Sequence, residues 1–467
     1  MIPDAVRSRV PFALAVAAPV AVAAAIGLAH APLFVLAVLG ALVFGVAIAA
    51  WGWQRFGPEG LWFAALPLSV LAGQLGSVGA GGQSGRILVL DVVAFAGVLF
   101  AVVRGVGVIE VPRTRLVAWL VLFIAWAVVG TIGALDPLTA IAEIKEWGVA
   151  AVVAAAATAW VRDTTRVRFV VGALVAAAVA IALGMMVATA THPAGPVLAV
   201  LMKQVDLPWG RSNYLAGFLI LALPLAIGAA LSSRSRREGW VWAVAAVVCG
   251  VGLALSASKG AMLALVITAL PVFALGGRGT RRAALLFAVL VGLLVFAFVA
   301  GPLREVMEYR LQTSAIDYSM NERLDLYRLG WRSFMEHSLT GLGLNNFSVA
   351  SHQLRGLDTV PHQLVLGLLA EVGLPGTVLA MGFMLLPLVA GWRRWRHATD
   401  PAERAMAAGL LAAWAGMLAH NQVESTVYGG QFKLFLVLLA VVLTCRDDRR
   451  EMGDRALAKG TGTAIRA

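Results

Sequence analysis

Apolar runs close to the length of a membrane-crossing helix, broken by short stretches of Arg, Gly or Pro, repeat along almost the whole chain. They fall at 10–29, 33–52, 60–77, 87–103, 116–134, 146–161, 168–190, 213–231, 240–256, 261–275, 283–301, 362–391, 405–421 and 431–445. About 20 helical residues cross a hydrocarbon core of roughly 30 Å, so the pattern predicts about 12–14 transmembrane helices. Only helices and closed barrels satisfy their backbone groups in lipid, and the runs lack the alternation of barrel strands. The expected fold class is therefore all-α, a polytopic transmembrane helical bundle. One extended hydrophilic piece interrupts it. The organisation expected is transmembrane helices over 1–301, a large outer loop over 302–361, further transmembrane helices over 362–446, and a disordered basic cytoplasmic tail over 447–467.

Within the large loop, 308–338 carries apolar residues at helical spacing. Leu324, Tyr327, Leu329, Trp331 and Phe334 predict an amphipathic helix that lies on the membrane surface or caps a cavity. The N-terminus resembles a secretory signal, with Arg7 and Arg9 before an apolar stretch and Ala29-His30-Ala31 behind it. Pro32 would follow the cut and argues against cleavage, so 10–29 is read as a retained first span.

Composition agrees with the pattern. The chain is 60% hydrophobic and 13% charged, with mean hydropathy +0.85, far from the roughly 25% charged residues of a soluble domain. The net charge of +12 comes without a soluble basic domain, which excludes a nucleic-acid partner and leaves membrane topology as its cause. With a cytoplasmic N-terminus, the inside segments hold 25 of the 37 Lys and Arg, as the positive-inside rule requires. Both termini are then expected in the cytoplasm. Cys249 and Cys445 lie within spans and imply neither a disulfide framework nor a metal cluster.

The outer cations break the rule that the other loops obey, and chemistry is sought there. They are Arg86, Lys145, Lys203, Arg211, Lys259 and Lys433 near short loops, and Arg304, Arg310, Arg323, Arg328, Arg332 and Arg355 in the large one. Lys145 sits beside Glu143 and Glu146 and reads as acid-paired, whereas Arg211 and Lys259 have no acid within several residues. No nucleotide-binding loop, CxxC or HExxH is present in the sequence, so neither cofactor nor metal is expected. His362 opens the span after the large loop, and Pro361 would set it in the first helical turn at the outer interface. A histidine there either accepts a proton near neutral pH or only caps the helix. Three further strings share that side: Arg211 to Tyr214 before a span, the turn Ser256, Ala257, Ser258, Lys259 and Gly260, and the segment from Arg323 to the Gly341–Asn346 turn. The shortness of the second predicts that its flanking helices are neighbours. Cations held at one membrane depth beside hydroxyls and a helix N-terminus suit a diphosphate.

In order, over roughly 205–380, these strings resemble the bacterial O-antigen ligases and the related O-antigen polymerases and protein O-oligosaccharyltransferases, membrane glycosyltransferases of the third structural class. The elements read Arg211; Ser256-Ala257-Ser258-Lys259-Gly260; Arg323; Gly341-Leu342-Gly343-Leu344-Asn345-Asn346-Phe347; His362; and Glu371-Val372-Gly373-Leu374-Pro375-Gly376. Lys259 stands where the family usually has Arg, which keeps the charge but loses the bidentate fork. Gln363 stands where Asn is usual and keeps an amide. The resemblance implies metal-independent, inverting transfer of a glycan from undecaprenyl diphosphate to a hydroxyl of a glycan, of lipid A core or of a protein. It implies His362, Arg211 and Lys259 as catalytic residues and Arg323, Ser256, Ser258, Asn213 and Gln363 as substrate-binding ones, on the periplasmic face among membrane lipids. A transporter or lipid-linked glycan flippase is the alternative, for which Asp91 and Glu371 are the clearest mid-span charges. A scaffold without activity would leave the outer cations unexplained.

Overall fold

A computed structural model describes residues 45–72, 74–77, 86–88, 91–97, 114–193, 207, 212–275, 277, 280–281, 315–356, 359 and 361–445. The expected spans 10–29 and 283–301, the N-terminal signal-like stretch, the tail 447–467 and Arg211 lie outside the described residues. What is described is a helical membrane bundle. In chain order, besides helical residues at 45–56 and 91–97, the helices are α1 Pro58–Leu68, α2 Arg115–Gly130, α3 Pro137–Trp160, α4 Thr164–Ala190, α5 Ser212–Leu231, α6 Arg236–Leu255, α7 Lys259–Leu275, α8 Ala315–Glu336, α9 Phe347–Arg355, α10 Leu364–His397, α11 Pro401–His420 and α12 Gly430–Thr444.

Most boundaries follow local chemistry. Thr114, Asp136, Asp163, Ser235 and Asp400 each place a side-chain oxygen on an otherwise unpaired N–H of the first turn of α2, α3, α4, α6 and α11. α2 with its 3-10 extension, α4, α5, α6 and α10 are long and apolar enough to cross a bilayer, and shorter apolar helices include α7 and α12. The expected span 60–77 is shorter than its hydropathy predicts. α1 runs into a 3-10 turn at Ser69–Ala72, and Gln74–Ser77 (β1) then pairs antiparallel with Arg86–Leu88 (β2).

The core lies between α4, α5, α11 and α12, whose residues are buried on nearly every side. α5 packs along α6 and α11, α4 along α6, α12 along α3, and α10 along α2 and α11. With no hydrophobic drive between helices in lipid, close approach through small residues supplies the attraction. A Cβ on Gly228 of α5 would stand 2.9 Å from the Ala405 carbonyl oxygen and from Gly409 Cα of α11. The turn Ser256–Gly260 does not make α6 and α7 close neighbours. They barely touch, because α7 finds its main partner in α11.

α10, with 34 residues, would be about 51 Å long at about 1.5 Å per residue. It breaks at Gly373 (φ 65°). The Gly-rich turn of the large loop docks into that break. Leu342 N–H donates to the Ala370 carbonyl at 2.9 Å, Gly343 N–H to Glu371 at 3.0 Å, and Leu374 N–H to Ser338 at 2.8 Å. Trp126 Nε1–H of α2 donates to the Val372 carbonyl at 2.9 Å. A side chain on Gly341 would overlap the Glu371 backbone, and one on Gly373 the Leu339 carbonyl; both have positive φ. Glu371 itself accepts from Phe347 N–H at 3.2 Å at the start of α9. Asn346 completes the clasp, accepting from Asp136 N–H at 2.6 Å. The two glycine-rich motifs are thus two halves of one joint.

Candidate active site

The loop 421–428 between α11 and α12 organises the site. Buried Asn421 accepts from the Thr426 hydroxyl at 3.0 Å and the Val427 N–H at 3.2 Å, while its carbonyl accepts from Leu364 N–H at 2.8 Å. The Ser425 hydroxyl donates to the Pro361 carbonyl. These bonds tie the loop to the entrance of α10 and leave Glu424 beside His362.

Glu424, 8% exposed, is the hub. Its Oε2 lies 3.2 Å from His362 Nδ1. Its Oε1 accepts from Arg323 Nη2 at 2.9 Å and Asn213 Nδ2 at 2.8 Å. Arg323 also donates through Nη1 to the Val423 carbonyl at 3.0 Å. Asp325, a neighbour that could have claimed Arg323, pairs with Arg328 instead at 3.0 Å. Four stretches of chain, at 213, 323, 362 and 424, therefore meet on one carboxylate.

Lys259 reaches the same neighbourhood through its neighbour. Gly260 lies against Val423, and a Cβ there would stand 2.6 Å from Val423 Cγ2 and 3.9 Å from His420 Nδ1. Lys259 is exposed, at the first position of α7. Ser256 and Ser258 are buried; the Ser256 hydroxyl donates to the Leu253 carbonyl at 2.6 Å and accepts from Ser258 N–H at 3.2 Å. Ser256 shapes the turn, in which Ala257 takes φ 49°.

His362 does not sit in the first turn of α10. Gln363 is the N-cap, its side chain accepting from Leu366 N–H and donating to Gln422 Oε1 at 2.9 Å. Capping thus falls to Gln363, and His362 stands one residue outside the helix. Behind it, Tyr428 presses its hydroxyl toward Gly367 of α10. Burial, with the Glu371 carboxylate beside it, holds that phenol well above its ordinary pKa, so it stays neutral.

Two outer cations have structural partners. Lys433 is fully buried in α12 and binds Glu143 and, at 2.7 Å, Glu146 of α3, with Nζ 5.6 Å from the centre of the Trp147 ring. Lys145 pairs with Asp91 at 2.7 Å rather than with its sequence neighbours. Both acids expected in mid-span, Asp91 and Glu371, are therefore engaged. On α8 the buried apolar residues are Leu326 and Leu329, whereas Leu324 and Trp331 are exposed. α10 lies under the opposite side of the helix from the one Leu324 and Trp331 occupy.

Glu424 carries no mark in the sequence, because its role comes from partners 62, 101 and 211 residues away. With Nδ1 engaged by a carboxylate, an imidazole keeps Nε2 as its proton acceptor, and the carboxylate steadies the cation that then forms. Such a group can take a proton from a hydroxyl, and neighbouring cations can meet growing anionic charge. No curated protein matches the chain. Residues 244–381 match the family model described as O-Antigen ligase. That matched segment, similar to the O-antigen ligases, carries Lys259, Arg323, His362 and both halves of the glycine joint.

Proposed function

We propose that this membrane enzyme transfers a glycan from undecaprenyl diphosphate to an acceptor hydroxyl, with inversion and without a metal, at the periplasmic face of the bacterial inner membrane. The observation that carries the reading is the convergence of His362, Arg323 and Asn213 on Glu424, with the Lys259 turn packed against the same loop. The glycan is a ligase or polymerase substrate, and the acceptor is lipid A core or the end of a polysaccharide rather than protein.

His362 Nε2 takes the proton of the acceptor hydroxyl as its oxygen attacks the anomeric carbon. The carbon–oxygen bond to the diphosphate breaks, and its electron pair stays on the departing lipid diphosphate. Arg211 and Lys259 stabilise that charge, with Arg323 as a third cation placed by Glu424; fixed charges aimed at the developing anion are usually the largest catalytic contribution. Glu424 holds the imidazole in the tautomer that leaves Nε2 free and balances the imidazolium.

The test is glycan transfer from a purified lipid-linked donor. His362→Ala is expected to lose about 10²–10⁴-fold, the usual share of a general base, and Arg211→Ala to lose turnover as well. Folded variants that both keep near-normal turnover would overturn the site.

A further inference from the structure

The face of α8 turned away from α10 changes character along its length. Arg328 is exposed, then Trp331 (55%) with exposed Arg332 beside it, then Met335 (62%), then Leu339 (68%) just beyond the helix. Residues 328, 331 and 335 share one face at helical spacing. At its lower end this stripe is pinned to the transmembrane helices. Thr340 lies against Gly130 at the end of α2, and Ser338 accepts from Leu374 just past the break in α10. Leu339 thereby joins the segments that carry Ile132 (89%) and Leu374 (54%), both exposed, with exposed Val128, Val129 and Val378 on α2 and α10. Those residues belong to the lipid-facing surface of the two spans.

We infer that α8 is an interfacial helix whose exposed stripe, from Leu339 through Met335 and Trp331 to Arg328, is inserted in the outer leaflet of the bilayer. Between the pinned end and Arg328, the aliphatic Leu339 and Met335 give way to Trp331 with Arg332 beside it, as in the passage from hydrocarbon to headgroup, where Trp settles at the boundary and Arg reaches the phosphates; Leu324, exposed beyond Arg328, is outside the stripe. The occupant is lipid, because the stripe continues an apolar surface that already faces lipid, and Arg328 and Arg332 stand with Asp325 and Glu336 as suits a zwitterionic headgroup layer. Length arithmetic agrees. The part of α10 after the break, Leu374 to His397, is 24 residues and spans about 36 Å at about 1.5 Å per residue, enough for the hydrocarbon core, so the break marks its outer boundary. Arg323 lies eight residues before Trp331 on α8, about 12 Å along the axis. Anchoring Trp331 among headgroups therefore holds Arg323, and Glu424 with it, at a fixed height over the lipids.

The experiment places single nitroxide labels at positions 328, 331, 335 and 339 in a Cys249→Ala, Cys445→Ala background, reconstituted in phosphatidylcholine liposomes. Collision with oxygen, which concentrates in lipid, is compared with collision with a water-soluble nickel chelate. The expected logarithm of the oxygen-to-nickel ratio is positive at 339 and 335, falls at 331 and turns negative at 328. A negative value at all four positions places the stripe in water and overturns the inference. Spin–spin broadening, or protection from both agents, shows a second copy or another protein on the face and overturns it equally. Circular dichroism and thermal unfolding of each labelled protein confirm that the fold measured is the native one. Unlabelled protein carrying Trp331→Phe, with bromine-bearing lipids as quenchers, supplies an independent reading: loss of a lipid-quenched component supports insertion, and an unchanged quenched fraction opposes it.

Discussion

Two ionic clusters built from residues on the outer half of the chain's charge map have opposite characters. Around Lys433, one ammonium with no exposed surface is held by two carboxylates one turn apart on α3, and an indole lies nearby. Around Glu424, one carboxylate is shared by a guanidinium, an imidazole and an amide, and the side chains of Arg323 and His362 keep about a quarter of their surface open. The first cluster joins two helices through an ammonium with no open surface; the second joins four distant stretches and leaves its basic members accessible. Burial with a complete set of partners marks a fastening, whereas a shared partner with open members marks a place where a substrate can complete the set.

The comparison breaks if function follows the first cluster or stability the second. The largest effect on activity after loss of His362 is expected from Glu424→Gln, which keeps shape but removes the charge that orients the imidazole. Transfer should fall by about 10²–10⁴-fold with little change in thermal unfolding. Lys433→Met should do the reverse. It strands Glu143 and Glu146 in the interior, at a cost of about 3–5 kcal/mol, visible as a lower melting temperature, and Glu143→Gln with Glu146→Gln in the same chain should recover much of it. Should Lys433→Met instead melt normally and lose turnover, the two clusters would have to exchange roles.

Smaller changes sharpen the boundary between fastening and site. Gly373→Ala forces a side chain into a left-handed backbone position and into the Leu339 carbonyl. It should cost about 1–3 kcal/mol, measured by thermal unfolding, with the turnover of the remaining folded fraction retained. Lys259→Arg is the mildest. It restores the bidentate fork and should keep most of the activity, so near-complete loss in the transfer assay would show that the compact ammonium itself is required.

Most of the helices are legible in the hydropathy pattern. The ends expected for α5 and α12 fall within one residue of those observed, because an apolar run bounded by charge has little choice of where to leave lipid. Legibility fails where local pattern and tertiary demand diverge. The stretch 60–77 is apolar enough to continue as a helix, yet its end is drawn into strand pairing. Lys433 reads as an outer cation near a short loop because its two carboxylates lie 287 and 290 positions away in the chain. The motif Glu371 to Gly376 reads only as part of a resemblance, whereas in the fold its glycine and its acid accommodate and cap another segment.

Hydropathy and charge alone determine that the chain enters a bilayer as helices and where its cations are out of place, since both properties are sums over neighbouring residues. The resemblance in residue order points to His362 and Lys259 for the same reason of local spacing. Only the folded chain decides that Glu424 joins His362, Arg323 and Asn213, that Gln363 rather than His362 caps α10, and that Lys433 is a fastening. Each of these depends on which remote segment is brought within hydrogen-bond reach, and a hydrogen bond at about 3 Å carries no trace in local composition.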